Sequence, residues 1–250
     1  MTAVKQTDLV LDTCLLAGRI MIENGSEMAR AEDTIMRIAT NSGYPDAQVF
    51  STVTGIIMSI PDQKNAQVES VSRRSIDLEK VSWVNRLSRD YADHKITLAD
   101  FFEQLKLVDQ AVPYFPFWLQ VLGAALVSGP LMTIFCNNFY DIGVTSIIGA
   151  VGFAIYYGIN KTLNIKFISE FVASLLIGIL AVIAVRLGLG HSVDNIIIGA
   201  VMPLVPGVPL TNAVRDILNG HFVSGPARGM EALLTAAAIG FGIAFVFRFF

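Results

Sequence analysis

Charge is distributed so unevenly along this chain that two environments are required: 28 of the 39 charged residues precede Val112, and only 11 fall in the 138 residues after it. The later part contains charge-free runs at 110–140, 142–160, 171–185, 195–214 and 232–247. Each run approaches the roughly 20 apolar residues that a helix needs to cross a bilayer. Five membrane helices are the simplest reading, with cores at 116–136, 142–159, 168–187, 193–210 and 230–249. The expected fold class is a membrane α-helical bundle of about five transmembrane helices, residues 113–250, preceded by a soluble α+β domain, residues 1–112.

The fourth span is unusual. Between Met202 and Asn212 it carries Pro203, Pro206, Gly207 and Pro209 without any charge. A proline removes a backbone N–H and clashes with the preceding turn, so the helix is expected to break at 203–209. Broken backbone at membrane depth survives where it is buried in protein or lines a wet cavity, and such discontinuous helices build the sites of many secondary transporters. The alternative is a kink that only shapes packing.

The net charge of −3 leaves no electrostatic footprint for nucleic acid. Residues 1–12 show no basic stretch, apolar core and cleavage site in sequence, so no secretory signal is expected. Cys14 and Cys136 lack the paired spacing of a zinc site or a redox motif, which leaves them as small apolar fillers. No metal site or cofactor is expected, and no nucleotide-binding loop is present for direct ATP drive.

Lys and Arg in short loops mark the cytoplasmic side. With the N-terminus inside, 137–141 lies outside, 161–166 inside, 186–191 outside, the segment of Arg215 and Arg228 inside, and the C-terminus outside. Arg186 and Arg248 run against this but sit at span ends, where long side chains reach the headgroups.

In the first 112 residues, 8–24 and 27–41 read as helices, the second with Met28, Ala31, Ile35 and Ile38 at helical spacing. Gly43 ends it. Residues 48–60 and 66–73 read as short strands about a hairpin-like turn at 62–65, and 79–91 and 98–107 as closing helices.

Ionisable groups in hydrocarbon are costly and tend to mark pathways. The candidates are Glu170, Arg186, Asp194, Arg215, Asp216 and Glu231; the bland alternative places them at headgroup level as ordinary helix-end charges. Half-helix N–H groups near Gly207 suit a substrate carboxylate, and freed carbonyls or Asp194 suit an ammonium. A dicarboxylate would favour Arg215 or Arg228. Thr211 and Asn212 are candidate donors, or equally caps of a second half-helix. Arg228 and Glu231, three apart, are placed to pair on one face. His191 and His221 titrate in the right range for proton carriers but lie in predicted loops. Small residues at fourfold spacing, Ala150, Ala154 and Gly158, Ser174 and Gly178, and Ala236, Gly240 and Ala244, suit close helix packing within the chain or with a partner.

Residues 25–34 (GSEMARAEDT), Thr54 and Gly55 with Ser59, the stretch Met202 to Asp216, and Asn219, Gly220, Gly225, Arg228 and Glu231 resemble the threonine/serine exporter family over nearly the whole chain. The sequence departs from that pattern at Val53, where a proline usually precedes Thr-Gly, and at Ala31, where a larger residue is common. The resemblance implies export of threonine or serine across the cell inner membrane, with a small dicarboxylate such as succinate as the alternative substrate. Because that family joins a second set of membrane helices to the first, the resemblance is to the YjjP-type larger subunit of a split form. It implies a separate, smaller YjjB-type membrane subunit as partner; a homo-oligomer is the competing arrangement. It also raises a gating or docking role for Glu27, Arg30, Glu32, Thr54 and Gly55; Glu27, Arg30, Glu32 and Asp33 otherwise read as a charged helix face.

Two other classes remain. A membrane-anchored hydrolase would work through the N-terminal domain, but His94 is the only histidine there and no Ser/His/Asp or Cys/His set accompanies it. A structural or sensory membrane protein has no use for a broken, charge-flanked helix.

Overall fold

A computed structural model describes residues 3–61, 66–73, 75–111, 115–163 and 167–249. They fall into two compact units: Met1–Tyr114 with Val208–Gly229, and Phe115–Gly207 with Met230–Phe250.

The first unit is built around helix α1, Ala3–Glu23. Val10, Leu11, Cys14, Ala17, Ile20 and Met21 form a wide buried face, while Gln6, Asp8 and Asp12 stay exposed, the pattern of an amphipathic helix laid on a core. Gly18 lets its neighbours close in, since a Cβ there would lie 2.9 Å from Ile56 Cδ1. Helix α2, Met28–Asn41, buries Met28, Ala31, Ile35 and Ile38 as its periodicity predicts. Helix α3, Leu78–Ala92, starts at Asp77, whose carboxylate accepts from the Lys80 N–H. Helix α4, Leu98–Gln110, opens with a reciprocal Thr97/Asp100 capping box. Phe101, fully buried on α4, contributes roughly 1.5–3 kcal/mol by leaving water.

Strands β1 (Gln48–Thr52), β2 (Gly55–Ser59) and β3 (Gln67–Ser70) form an antiparallel sheet in the order β1-β2-β3. The stretch 48–60, expected as one short strand, is a hairpin turning at Val53 and Thr54. The Thr52 hydroxyl causes the turn: it accepts from the N–H groups of Thr54 and Gly55 at 3.3 and 3.1 Å. The turn expected at 62–65 lies outside the described residues. Ile56 and Met58 enter the core, whereas Phe50, Ile57 and Val68, paired across the strands, face outward.

The second unit holds α5 (Phe117–Cys136), α6 (Ile142–Leu163), α7 (Ile168–Arg186), α8 (Val193–Val201) and most of α10 (Ser224–Phe249). Among the described residues four helices, α5, α6, α7 and α10, are long and apolar enough to cross a membrane; the broken pair after α7 makes a fifth if counted as one span. Close packing rests on small residues. A Cβ on Gly199 would fall 2.7 Å from the Ser128 carbonyl, and one on Gly242 would fall 2.6 Å from that of Phe171. Of the spaced small residues singled out in the sequence, Ser174 and Gly178 are used in this way. Ala236, Gly240 and Ala244 are exposed instead, because α10 turns Ile239, Gly242 and Val246 inward.

The break, expected across 203–209, narrows to Val205 and Pro206. α8 tightens into a 3-10 turn, Met202–Leu204, with Pro203 in its first turn. Val205 is extended (φ −64°, ψ 129°), as a residue before proline prefers. Helix α9, Gly207–Leu218, follows, and Pro209 sits in its first turn, where no N–H is needed. Of the three prolines, only Pro206 occupies the non-helical link. Residues Val208–Gly229 fold with the N-terminal unit, although a division at Val112 assigns them to the membrane part. Polar side chains on α9 are the cause.

Candidate functional site

Helix α9 buries Asn212, Ala213 and Asp216 on one face. It ends in Asn219-Gly220, where Gly220 takes φ +87°. The Gly220 N–H bonds to the Ile217 carbonyl and the His221 N–H to that of Asp216, the crossed pair that terminates a helix on glycine. This turn sends the chain back so that α10 begins against α9: a Cβ on Gly225 would lie 3.0 Å from the Ala213 carbonyl.

What α9 carries meets the start of α2. The Glu27 side chain makes no capping bond to α2, and the cap is supplied from far along the sequence: Asp216 Oδ1 accepts from the Met28 N–H at 2.8 Å. A carboxylate there satisfies an orphan donor and faces the positive end of the helix dipole. The other oxygen of Asp216 accepts from Arg228 Nη1 at 3.0 Å, and both partners are buried. Asn212 Nδ2 donates to the Gly25 carbonyl at 2.8 Å. Arg215 Nη1 lies 3.0 Å from Glu27 Oε1, the same oxygen that Arg30 Nη2 reaches at 3.1 Å. Glu32 Oε1 accepts from the Ser51 hydroxyl at 2.7 Å and from its N–H at 3.2 Å, while Glu32 Oε2 lies 3.8 Å from His221 Nε2.

Sequence-named residues are therefore brought together in one place: Glu27, Arg30 and Glu32 with Asn212, Arg215, Asp216 and Arg228. His221, expected in a solvated loop, joins them through Glu32. Thr54 and Gly55 instead form the β1–β2 turn, and Thr211 and Pro209 lie on α9 itself.

In the second unit, Pro203, Pro206 and Gly207 form the break. Asp194 is exposed in the first turn of α8, about 12 Å of helix before Met202. Glu170 occupies the first turn of α7, and its Oε2 is buried without a hydrogen-bond partner among the described residues. Glu231 is half-buried on α10. Among the described residues no group of three or more His, Cys, Asp or Glu is placed to hold a metal.

Asp141 was not singled out in the sequence. It is fully buried and accepts from the N–H groups of His191 (2.8 Å) and Ser192 (3.2 Å), from Asn138 Nδ2 (2.9 Å) and from the His191 ring. It thereby ties the α5–α6 loop to the start of α8, with Ser192 itself capping α8. Its one legible signal was being the sole acid between the first two apolar runs. Burial pushes its carboxyl up, but the His191, Ser192 and Asn138 bonds outweigh burial and hold it below the usual range. A depressed folded pKa gives stability that is present above the unfolded value, about 3.9, and is lost as pH falls through the folded one. Unfolding of the detergent-solubilised chain between about pH 2 and 5 should show this acid limb, and Asp141→Asn should flatten it. An unchanged limb would mean that Asp141 is not its source.

A model of the family described as "Putative threonine/serine exporter" (ThrE) matches residues 12–250. The chain is 25% identical over 247 residues to a "Probable threonine/serine exporter" of Mycobacterium tuberculosis, covering 95% of this chain and 45% of that protein. It thus spans about half the length of that relative. It is 27% identical over 234 residues to the "Probable succinate transporter subunit YjjP" of Klebsiella aerogenes, covering 90% of this chain and 88% of that one. With the protein of the same name from Escherichia coli K12 it shares 27% over 251 residues, 93% and 92% of the two chains. No solved structure matches.

Proposed function

Because this chain belongs to the threonine/serine exporter family, a family of multi-pass membrane transporters, we propose that it is one subunit of an inner-membrane secondary exporter for small carboxylate-bearing metabolites. The observation that carries this reading is the charge-free stretch 195–214, interrupted at Val205 and Pro206 within a family-matching region. The N-terminus of α9 offers the positive end of its helix dipole to a substrate carboxylate. Thr211 lies on α9 within reach of the same turn, and Glu170, Asp194 and Glu231 are the pathway candidates of the membrane part.

In this reading the soluble domain of residues 1–112 is cytoplasmic, the C-terminus lies outside, and Asp216, Asn212, Arg215 and Arg228 hold the segment after the break to the start of α2. The N-terminal residues Glu27, Arg30 and Glu32 then act as the docking half of a gate. The partner is a smaller membrane subunit, and the naming of the Klebsiella and Escherichia relatives as subunits supports this. Threonine or serine is the substrate suggested by the family description. Succinate is the second reading, favoured by the 88% and 92% coverage of proteins named for its transport. Exchange of labelled threonine, serine and succinate in a host lacking its own exporters, with both subunits expressed, discriminates the two: export of succinate alone would overturn the amino-acid reading.

A further inference from the structure

Residues 1–111 are acidic, with twelve Lys and Arg against sixteen Asp and Glu, yet five of those twelve cations line a single cleft of about 710 Å³ between α2 and α3 with only three acids. Helical spacing produces the concentration. Arg30, Asp33 and Arg37 share one stripe of α2, and Asn85, Arg86 and Arg89 share the facing stripe of α3. The three lining acids offset only part of this charge. Asp33 is taken by Arg37, and Asp93 by Lys95, while Asp90 is shared between Lys95 at 3.2 Å and Arg86 at a loose 4.0 Å. Among the described residues Arg89 has no ion pair or side-chain hydrogen bond. Several guanidinium groups lining one cleft match a group that accepts at several oxygens, and phosphate is the matching chemistry. The volume lies in the range of small-molecule sites and is too large for a lone inorganic ion.

We propose that the α2–α3 cleft binds a phosphate-bearing ligand through Arg37, Arg86 and Arg89, with Arg30 at its rim. This site is separate from the transported substrate. Arg30 also pairs with Glu27, whose same oxygen holds Arg215, so occupancy reaches the α9 junction through one shared carboxylate oxygen.

The test is calorimetric titration of inorganic pyrophosphate into the full chain in phosphatidylcholine nanodiscs. Saturable binding is expected, weakened about tenfold or more by the Arg86→Ala/Arg89→Ala pair, since each charge-assisted fork is lost. Arg89→Lys, which keeps the charge and the fold but loses the fork, should fall between, and Arg73→Ala, outside the cleft, should bind as wild type. Adding phosphatidylglycerol to the nanodiscs identifies the source. Weaker pyrophosphate binding there assigns the site to a lipid headgroup, and unchanged binding assigns it to a soluble metabolite; both support the site. Absence of saturable binding, or equal binding by wild type, Arg89→Lys and the double variant, overturns it.

Discussion

Asp216→Ala is expected to cost about 3–5 kcal/mol of stability, because it breaks a buried ion pair by removing the carboxylate from Arg228. The same change removes the cap from the Met28 N–H, worth about 1 kcal/mol on its own. Asp216 is fully buried, and its two oxygens are committed to Met28 and Arg228 at 2.8 and 3.0 Å. Chemical denaturation followed by hydrogen exchange at the first turn of α2 would report both losses. Combining Asp216→Ala with Arg228→Met should recover part of the loss by removing the other half of the buried ion pair, whereas Asp216→Asn should keep an acceptor for Met28 and lose the ion pair. If Asp216→Ala were neutral and the first-turn amides stayed protected, α9 would not be holding α2.

Pro206→Ala and Gly207→Leu are expected to abolish export while leaving insertion and folding intact. Alanine restores the missing N–H and frees Val205 from its extended conformation, so a continuous helix becomes available and is at least as stable as the interrupted one. At Gly207 an added Cβ would meet nothing within 4 Å, so loss of export would reflect the link itself rather than a steric clash with the fold. Wild-type efflux from both variants at wild-type expression would remove the break from the mechanism.

Much of the fold was readable from short-range signals. The spacing of Met28, Ala31, Ile35 and Ile38 located α2 and its buried face, charge-free runs located the long helices, and the prolines located the interruption. Finer readings failed where a local signal was ambiguous. Residues 48–60 alternate like one strand, and only the Thr52 hydroxyl, bonding two N–H groups ahead, folds them into a hairpin. The prolines put the break across 203–209, yet the link itself is only Val205 and Pro206, because Pro203 fits a 3-10 turn and Pro209 the first turn of α9. Small residues on α10 were identified by spacing, but spacing does not say which face turns inward. The meeting of α9 with α2 was beyond sequence reasoning altogether, since Asp216 and Met28 are 188 residues apart. Asp141 gives no comparable signal, because a lone acid in a polar loop forms no pattern and the backbone donors it holds lie 50 and 51 residues away.

The account rests on this chain being half of a transporter. Sites of the discontinuous-helix kind are built between two repeats, and the chain supplies one interrupted helix among its described residues. Counterflow of labelled threonine, serine and succinate into proteoliposomes measures this directly, using the chain alone, the smaller membrane subunit alone, and the two together. The account predicts uptake of at least one of these substrates only when both are present. Full counterflow by this chain by itself would contradict the two-subunit reading, and none from the pair would contradict the assignment of all three substrates.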